Sequence, residues 1–169
     1  QQRDIAVGQA LAVEWVAVDD RLDAPAKQAR TRGAHRFTRG EGIWMHGDAL
    51  WFTATDGGAV RKGQIWKLEN DVLTLFAEPE NGNLVENADN LVYAPWGDLV
   101  LCEDGVGKQV DPAQYLIGLT PQGAYYRLAR NRLNGSELAG ACFAPDGRTL
   151  FVNIYSPGLT LAITGLWRT

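Results

Sequence analysis

The sequence is poor in sulfur: its 169 residues include two cysteines, Cys102 and Cys142, and one methionine. Two cysteines cannot make a disulfide framework, and they do not form the CxxC pair of a zinc site. Both are expected as free, buried thiols that act as small hydrophobes. Also missing is a cluster of Lys and Arg able to track a phosphate backbone. The 16 basic residues stand against 20 acidic ones, a net charge of −4, which argues against nucleic acid as a partner. No apolar run approaches the roughly 18 residues of a membrane-spanning helix, so no membrane span is expected. No charged-then-apolar leader opens the chain at Gln1. Strand-like residues follow soon after (Leu11 to Val18), so Gln1 reads as a cut within a longer protein.

What is present leans towards β structure. Nineteen glycines and six tryptophans suit tight turns and aromatic-filled sheets better than long helices, whose interiors glycine weakens by roughly 1 kcal/mol each. Three segments share one grammar of apolar strand, glycine turn and second strand: GIWMHGDALWFTAT from Gly42, LVYAPWGDLVLCED from Leu91 and ACFAPDGRTLFVNI from Ala141. Their turn glycines, Gly47, Gly97 and Gly147, recur every fifty residues. Two further short strands follow each of the first two pairs, at 63–69 and 72–78 and at 115–120 and 124–130, and one follows the third, at 159–167. A four-stranded antiparallel meander repeated at this period predicts all-β propeller blades, about three of them. The division expected is 1–36 for the end of a preceding blade and a connecting loop, 37–80 and 81–132 for two blades, and 133–169 for an incomplete third. A short helix is allowed at 26–30.

With the turn glycines as a ruler, Thr53, Glu103 and Asn153 fall at one place, the far end of each second strand. Arg39, Glu41, Asn87, Asp89, Asn90 and Glu137 lie at or before the start of each first strand. Antiparallel pairing brings these two ends together, so a ring of Glu41, Asp89, Glu103 and Glu137 with Asn87, Asn90 and Asn153 is expected at one mouth of the blades. Such an all-oxygen set suits calcium. The plainer reading is that Asp and Asn at strand ends satisfy turns, as Asp48, Asp98 and Asp146 do beside the turn glycines. Alternation along the strand points Asp104 the other way. His35 and His46 read as surface or turn residues.

Four ordered motifs resemble the C-terminal portion of PhoX-type alkaline phosphatases: FTRGEGIW (37–44), ADNLVYAPWGDLVLCEDG (88–105), SELAGACFAPDGRTLFVNI (136–154) and ITGLW (163–167). The resemblance implies half of a six-bladed propeller that hydrolyses phosphomonoesters at calcium and iron ions. It makes Arg39 the phosphate-binding group and Glu41 a metal-bridging carboxylate. Asp89, Glu103, Asn90 and Glu137 become further metal ligands. It also implies export, hence a periplasmic or extracellular location, and a site completed by N-terminal blades that supply the remaining ligands, among them an iron-ligating cysteine that is not Cys102. Two rivals stand beside it: a calcium-dependent lactonase-type propeller, which has no need of Arg39 beside Glu41, and a non-catalytic propeller binding module.

Overall fold

Apolar residues that alternate in twos place one side of each strand in a core. The computed structural model, which describes residues 5–105 and 113–167, shows twelve such strands and one short helix. Gln1, residues 106–112 of the expected second blade and residues 168–169 of the third lie outside the described residues. The elements are β1 (Ala10–Ala12), α1 (Pro25–Thr31), β2 (Gly40–His46), β3 (Ala49–Ala54), β4 (Gln64–Glu69) and β5 (Val72–Ala77). There follow β6 (Ala88–Tyr93), β7 (Leu99–Glu103), β8 (Tyr115–Leu119), β9 (Tyr125–Arg130), β10 (Leu138–Phe143), β11 (Thr149–Ile154) and β12 (Leu159–Thr164).

The strands form three antiparallel sheets, ordered β1-β5-β4-β3-β2, β6-β7-β8-β9 and β10-β11-β12. The first strands β2, β6 and β10 touch in succession, so the sheets stand side by side as blades do, face against face. Burial follows from that order. In the middle sheet β7 and β8 are buried at every position, because a sheet covers each of their faces. One core lies between the first and second sheets, where Trp51 and Ile65 meet Leu101 and Ile117. A second lies between the second and third, where Val100 and Leu116 meet Leu150 and Val152. On the far face of the first sheet a smaller cluster gathers Trp66 and Leu75 under Phe37 and Phe52.

Three expectations change. The strand expected to end a preceding blade is shorter than 11–18 and pairs with β5, so β1 is a fifth, outer strand of the first sheet. Cys102 is buried as expected, but Cys142 is exposed, because the inner strand β10 bulges just before it. The glycine ruler also slips. The first hairpin closes with the two residues Gly47 and Asp48, since His46 faces Ala49. The second and third close with longer Pro-containing turns, in which Ala94 bonds Asp98 and Ala144 bonds Thr149. Ala54, not Thr53, is therefore the partner of the last residue before the register shift in the first inner strand, as Glu103 and Asn153 are in the others.

The blades meet most closely at Gly42, where a Cβ would stand 2.3 Å from the carbonyl oxygen of Asp89 and 3.0 Å from the Asn90 Cα. Backbone cannot swing aside as a flexible side chain can, so Gly42→Ala is expected to destabilise the fold by about 1–3 kcal/mol. Gly165→Ala, whose Cβ would meet nothing within 4 Å, is the neutral control. Denaturant unfolding of the two variants checks this; equal midpoints would show that the blades do not need the close approach.

Candidate metal centre

The same irregularity occurs at the start of all three inner strands. Between Gly40 and Ile43, Ala88 and Leu91, and Ala139 and Cys142, the inner strand carries one residue more than its partner. Such a bulge bends the strand and re-aims side chains that strict alternation would send to the two faces. The residues inside the bulges are Glu41 and Gly42, Asp89 and Asn90, and Gly140 and Ala141. Just before the first two, Arg39 (φ 51°) and Asn87 (φ 52°) adopt the left-handed backbone, which costs a non-glycine residue about 1 kcal/mol or more. The ladder continues past both, with Thr55 N–H donating to Arg39 C=O (2.9 Å) and Asp104 N–H to Asn87 C=O (3.0 Å).

The bulges gather charge. Arg39 Nη2 donates to Glu41 Oε1 at 3.0 Å and to Asp104 Oδ2 at 3.4 Å, and it stands 4.0 Å from Asp89 Oδ1. Its Nη1 donates to Asp56 Oδ1 at 3.4 Å, an oxygen that also accepts from Asn87 Nδ2 at 3.1 Å. One guanidinium thus faces four carboxylates. Glu137, in the loop before β10, adds another: one oxygen each of Asp89, Asp104 and Glu137 lies within 4.8 Å of the others. Asp89 Oδ1 is buried and has no hydrogen-bond partner.

Burial pushes the Asp89 carboxyl up to about 6, with the Glu41 and Asp104 charges adding to the shift and a Thr55 hydrogen bond and Arg39 opposing it. The Glu137 carboxyl rises to about 7, first through burial and then through Asp104, Asp89 and Glu41. The Arg39 guanidinium is held above its ordinary value: burial works against its charge, and the surrounding carboxylates outweigh it. The Cys102 thiol is pushed up to about 12 by burial, which makes it inert as a nucleophile.

The structure brings Arg39, Glu41, Asp89 and Glu137 together and uses Glu103 and Asn90 differently. Fully buried Glu103 accepts from the Glu86 N–H at 2.9 Å through Oε1 and from the Tyr115 N–H at 3.1 Å through Oε2. It does not join the converging oxygens. Asn90 Oδ1 accepts from the Gly140 N–H and ties the second bulge to the third. Asn153 Oδ1 accepts from Thr160 at 2.7 Å. His46 stacks on Tyr93, ring centroids 3.6 Å apart. Two carboxylates at the centre escaped the sequence reading, Asp104 and Asp56. Each precedes a glycine just past the end of a strand, and an Asp-Gly pair signals a loop, where alternation no longer applies.

Blade-like sheets that turn their bulges towards one acidic mouth define the class: an all-β protein with an oxygen-donor site at one end of its inner strands. The family described as Alkaline phosphatase PhoX matches residues 5–158, and the chain belongs to that family. No curated protein matches the chain. Among solved structures, one described as "Streptogramin B lyase structure" is similar at 15% identity over 75% of this chain, with a TM-score of 0.48. The chain spans 40% of the length of that protein.

The raised carboxyls fix the sign of a pH effect. Asp89 and Glu137 titrate above their ordinary values of 3.8 and 4.5, so in that window the folded protein holds more protons than the unfolded chain. Their contribution to stability therefore falls as pH rises from about 4 to about 7. A cation that binds only the ionised carboxylates of the folded state would offset that loss above pH 7, and calcium, an oxygen-seeking ion, is the probe for it. Asp89→Asn is expected to raise Tm at pH 8 without cation by about 2–4 °C, the effect of ~1 kcal/mol in a chain of this size, and to lose most of the gain from calcium. Thermal melts across pH 5–8 with chelator or calcium check this. Curves for the parent protein that ignore both variables would deny the cluster this role.

Proposed function

We propose that this chain is the C-terminal half of a six-bladed propeller that hydrolyses phosphomonoesters at a calcium and iron centre, exported to the periplasm or the cell exterior. The observation that carries the reading is the arginine among carboxylates at the bulges, with Asp89 Oδ1 buried and lacking a hydrogen bond. An all-oxygen, multiply charged donor set with a buried oxygen that has no hydrogen bond fits a hard cation such as calcium. Asp89, Asp104 and Glu137 would hold it, with Glu41 beside them. Asn90 and Glu103 hold the backbone that carries these ligands. Iron is assigned to the part of the centre that the earlier blades complete.

A phosphomonoester brings nearly two negative charges, and bare carboxylates would repel it. Cations held by Asp89, Asp104 and Glu137 would supply the positive charge and Lewis acidity that a phosphoryl group needs there. Arg39 then offers its planar fork of donors to the phosphoryl group, a geometry that a point charge cannot copy. Its place beside Glu41 favours a phosphate ester over a lactone. The earlier blades have a place to sit: the open face of the first sheet bears an apolar groove of about 400 Å³ lined by Val13, Trp15, Phe37, Ile43, Phe52 and Leu73. Covering such a face with another sheet removes the surface that least tolerates water. Among the described residues no helix is long and apolar enough to cross a membrane.

Two substitutions in the complete enzyme separate binding of metal from binding of phosphate. Arg39→Lys is expected to keep the metal content and lose about tenfold to a hundredfold in kcat/KM for phosphate monoesters, the scale for weakening one charge-stabilising donor. Asp89→Asn is expected to lose metal and activity together. Elemental analysis beside steady-state kinetics reads both. Wild-type kinetics in Arg39→Lys would remove the arginine from the reaction, and full metal content in Asp89→Asn would remove Asp89 from the centre.

A further inference from the structure

Thr53 lies outside the converging oxygens, yet its side chain hydrogen-bonds both acidic bulges. It is fully buried in β3. Its Oγ1 accepts from the Gly42 N–H at 2.9 Å, inside the first bulge, and donates to the Asp89 C=O at 2.8 Å, inside the second. A hydroxyl can both donate and accept, and here it does both: it receives from one blade and gives to the next. The residues it grips are the neighbour of Glu41 and the backbone of Asp89 itself. Gly42 leaves no room between the two bulges, since a Cβ there would meet the same Asp89 oxygen at 2.3 Å. Hydroxyl and missing side chain act on one contact, the first bonding the two backbones together and the second letting them close.

The geometry points to Thr53 as a positioning residue, whose hydroxyl fixes the spacing between the first-blade carboxylate Glu41 and the second-blade carboxylate Asp89, and so tunes the centre's affinity for a divalent cation. This rests on reading the carboxylates as a cation site. A cation demands that its donors stand at set distances from it, whereas the fold needs only that the blades remain packed. Groups that orient metal ligands without touching the metal typically contribute about 10–100-fold to its affinity. Valine matches threonine in shape and lacks the hydroxyl; serine keeps the hydroxyl and lacks the methyl; cysteine keeps the volume with a weak donor and acceptor.

Calcium titration by calorimetry of the intact protein and its Thr53→Val, Thr53→Ser and Thr53→Cys variants, each shown to be folded by circular dichroism, tests the inference. Thr53→Val is expected to weaken calcium binding about tenfold or more. Thr53→Ser should stay within about threefold of the parent and Thr53→Cys should fall between, the order expected from hydrogen-bond strength. Should Thr53→Val not fold, the contrast of Ser with Cys decides: a Cys variant that binds calcium as tightly as the Ser variant overturns the inference. So does parental affinity in a folded Thr53→Val. Asp89→Asn, measured alongside, separates the two levels. If it too binds calcium like the parent, the cation site itself is wrongly placed; if it loses binding while Thr53→Val does not, only the role of Thr53 falls.

Discussion

Carboxylates brought within 4.8 Å of one another repel, and the size of that repulsion governs what the surrounding structure must do. At an effective dielectric near 20, two unit charges at this distance repel by about 3–4 kcal/mol. Three such pairs, fully ionised, would approach the whole net stability of a domain, about 5–15 kcal/mol. The protein has two ways to lower that cost before any cation arrives. It places Arg39 among the charges, and it lets Asp89 and Glu137 keep their protons to higher pH. Both are reversible, which is what a site proposed to accept cations requires.

Holding such a cluster takes a frame that does not yield, and the frame is the packing between blades. The middle sheet is buried through both faces. Its two apolar interfaces, one through Trp51, Leu101 and Ile117 and the other through Val100, Leu116 and Leu150, fix the positions of β2, β6 and β10. Side chains of this size contribute about 1.5–3 kcal/mol each when fully buried, enough together to outweigh the local repulsion. Polar bonds then set the fine spacing at the mouth. Thr53 joins the first bulge to the second, Asn90 joins the second to the third, and Glu103 ties the residue before Asn87 to the start of β8. The apolar interfaces supply the energy, and these bonds supply the register.

Much of this could be read from residue order alone, for reasons that also explain the failures. A glycine turn every fifty residues with strands on either side marks a repeat, because a turn needs a residue that tolerates a left-handed backbone whatever packs around it. That Arg39, Glu41 and Asp89 gather at one end of the sheets was legible because each precedes or sits within such a strand. The bulges were not legible. They rest on contacts between blades, such as Gly42 against Asp89, which lie far apart in sequence. The ruler slipped at Thr53 because turns of different length close the hairpins. Asp104 was turned the wrong way because alternation was carried past Glu103, where β7 ends. Glu103 itself looked like a ligand, since nothing local reveals that the Glu86 and Tyr115 amides occupy its oxygens.

On the proposed reading Arg39 serves two partners that exclude one another. Its donors lie towards Glu41, Asp56 and Asp104 in this structure, and a guanidinium so engaged is not free for a phosphoryl group. Any cation that takes over the carboxylates releases it, so on the proposed reading cation binding must precede productive phosphate binding. The left-handed backbone at Arg39 suits that exchange. The conformation is held by the ladder bond from Thr55 and not by the guanidinium, so the side chain can change partners while the backbone stays fixed. A lysine at this position would keep the charge that balances the carboxylates and lose the planar fork proposed to grip the ester. On that reading charge balance and substrate grip are separable functions of one residue, and of the two devices that ease the acidic mouth without cations, Arg39 is the one that substrate would later recruit.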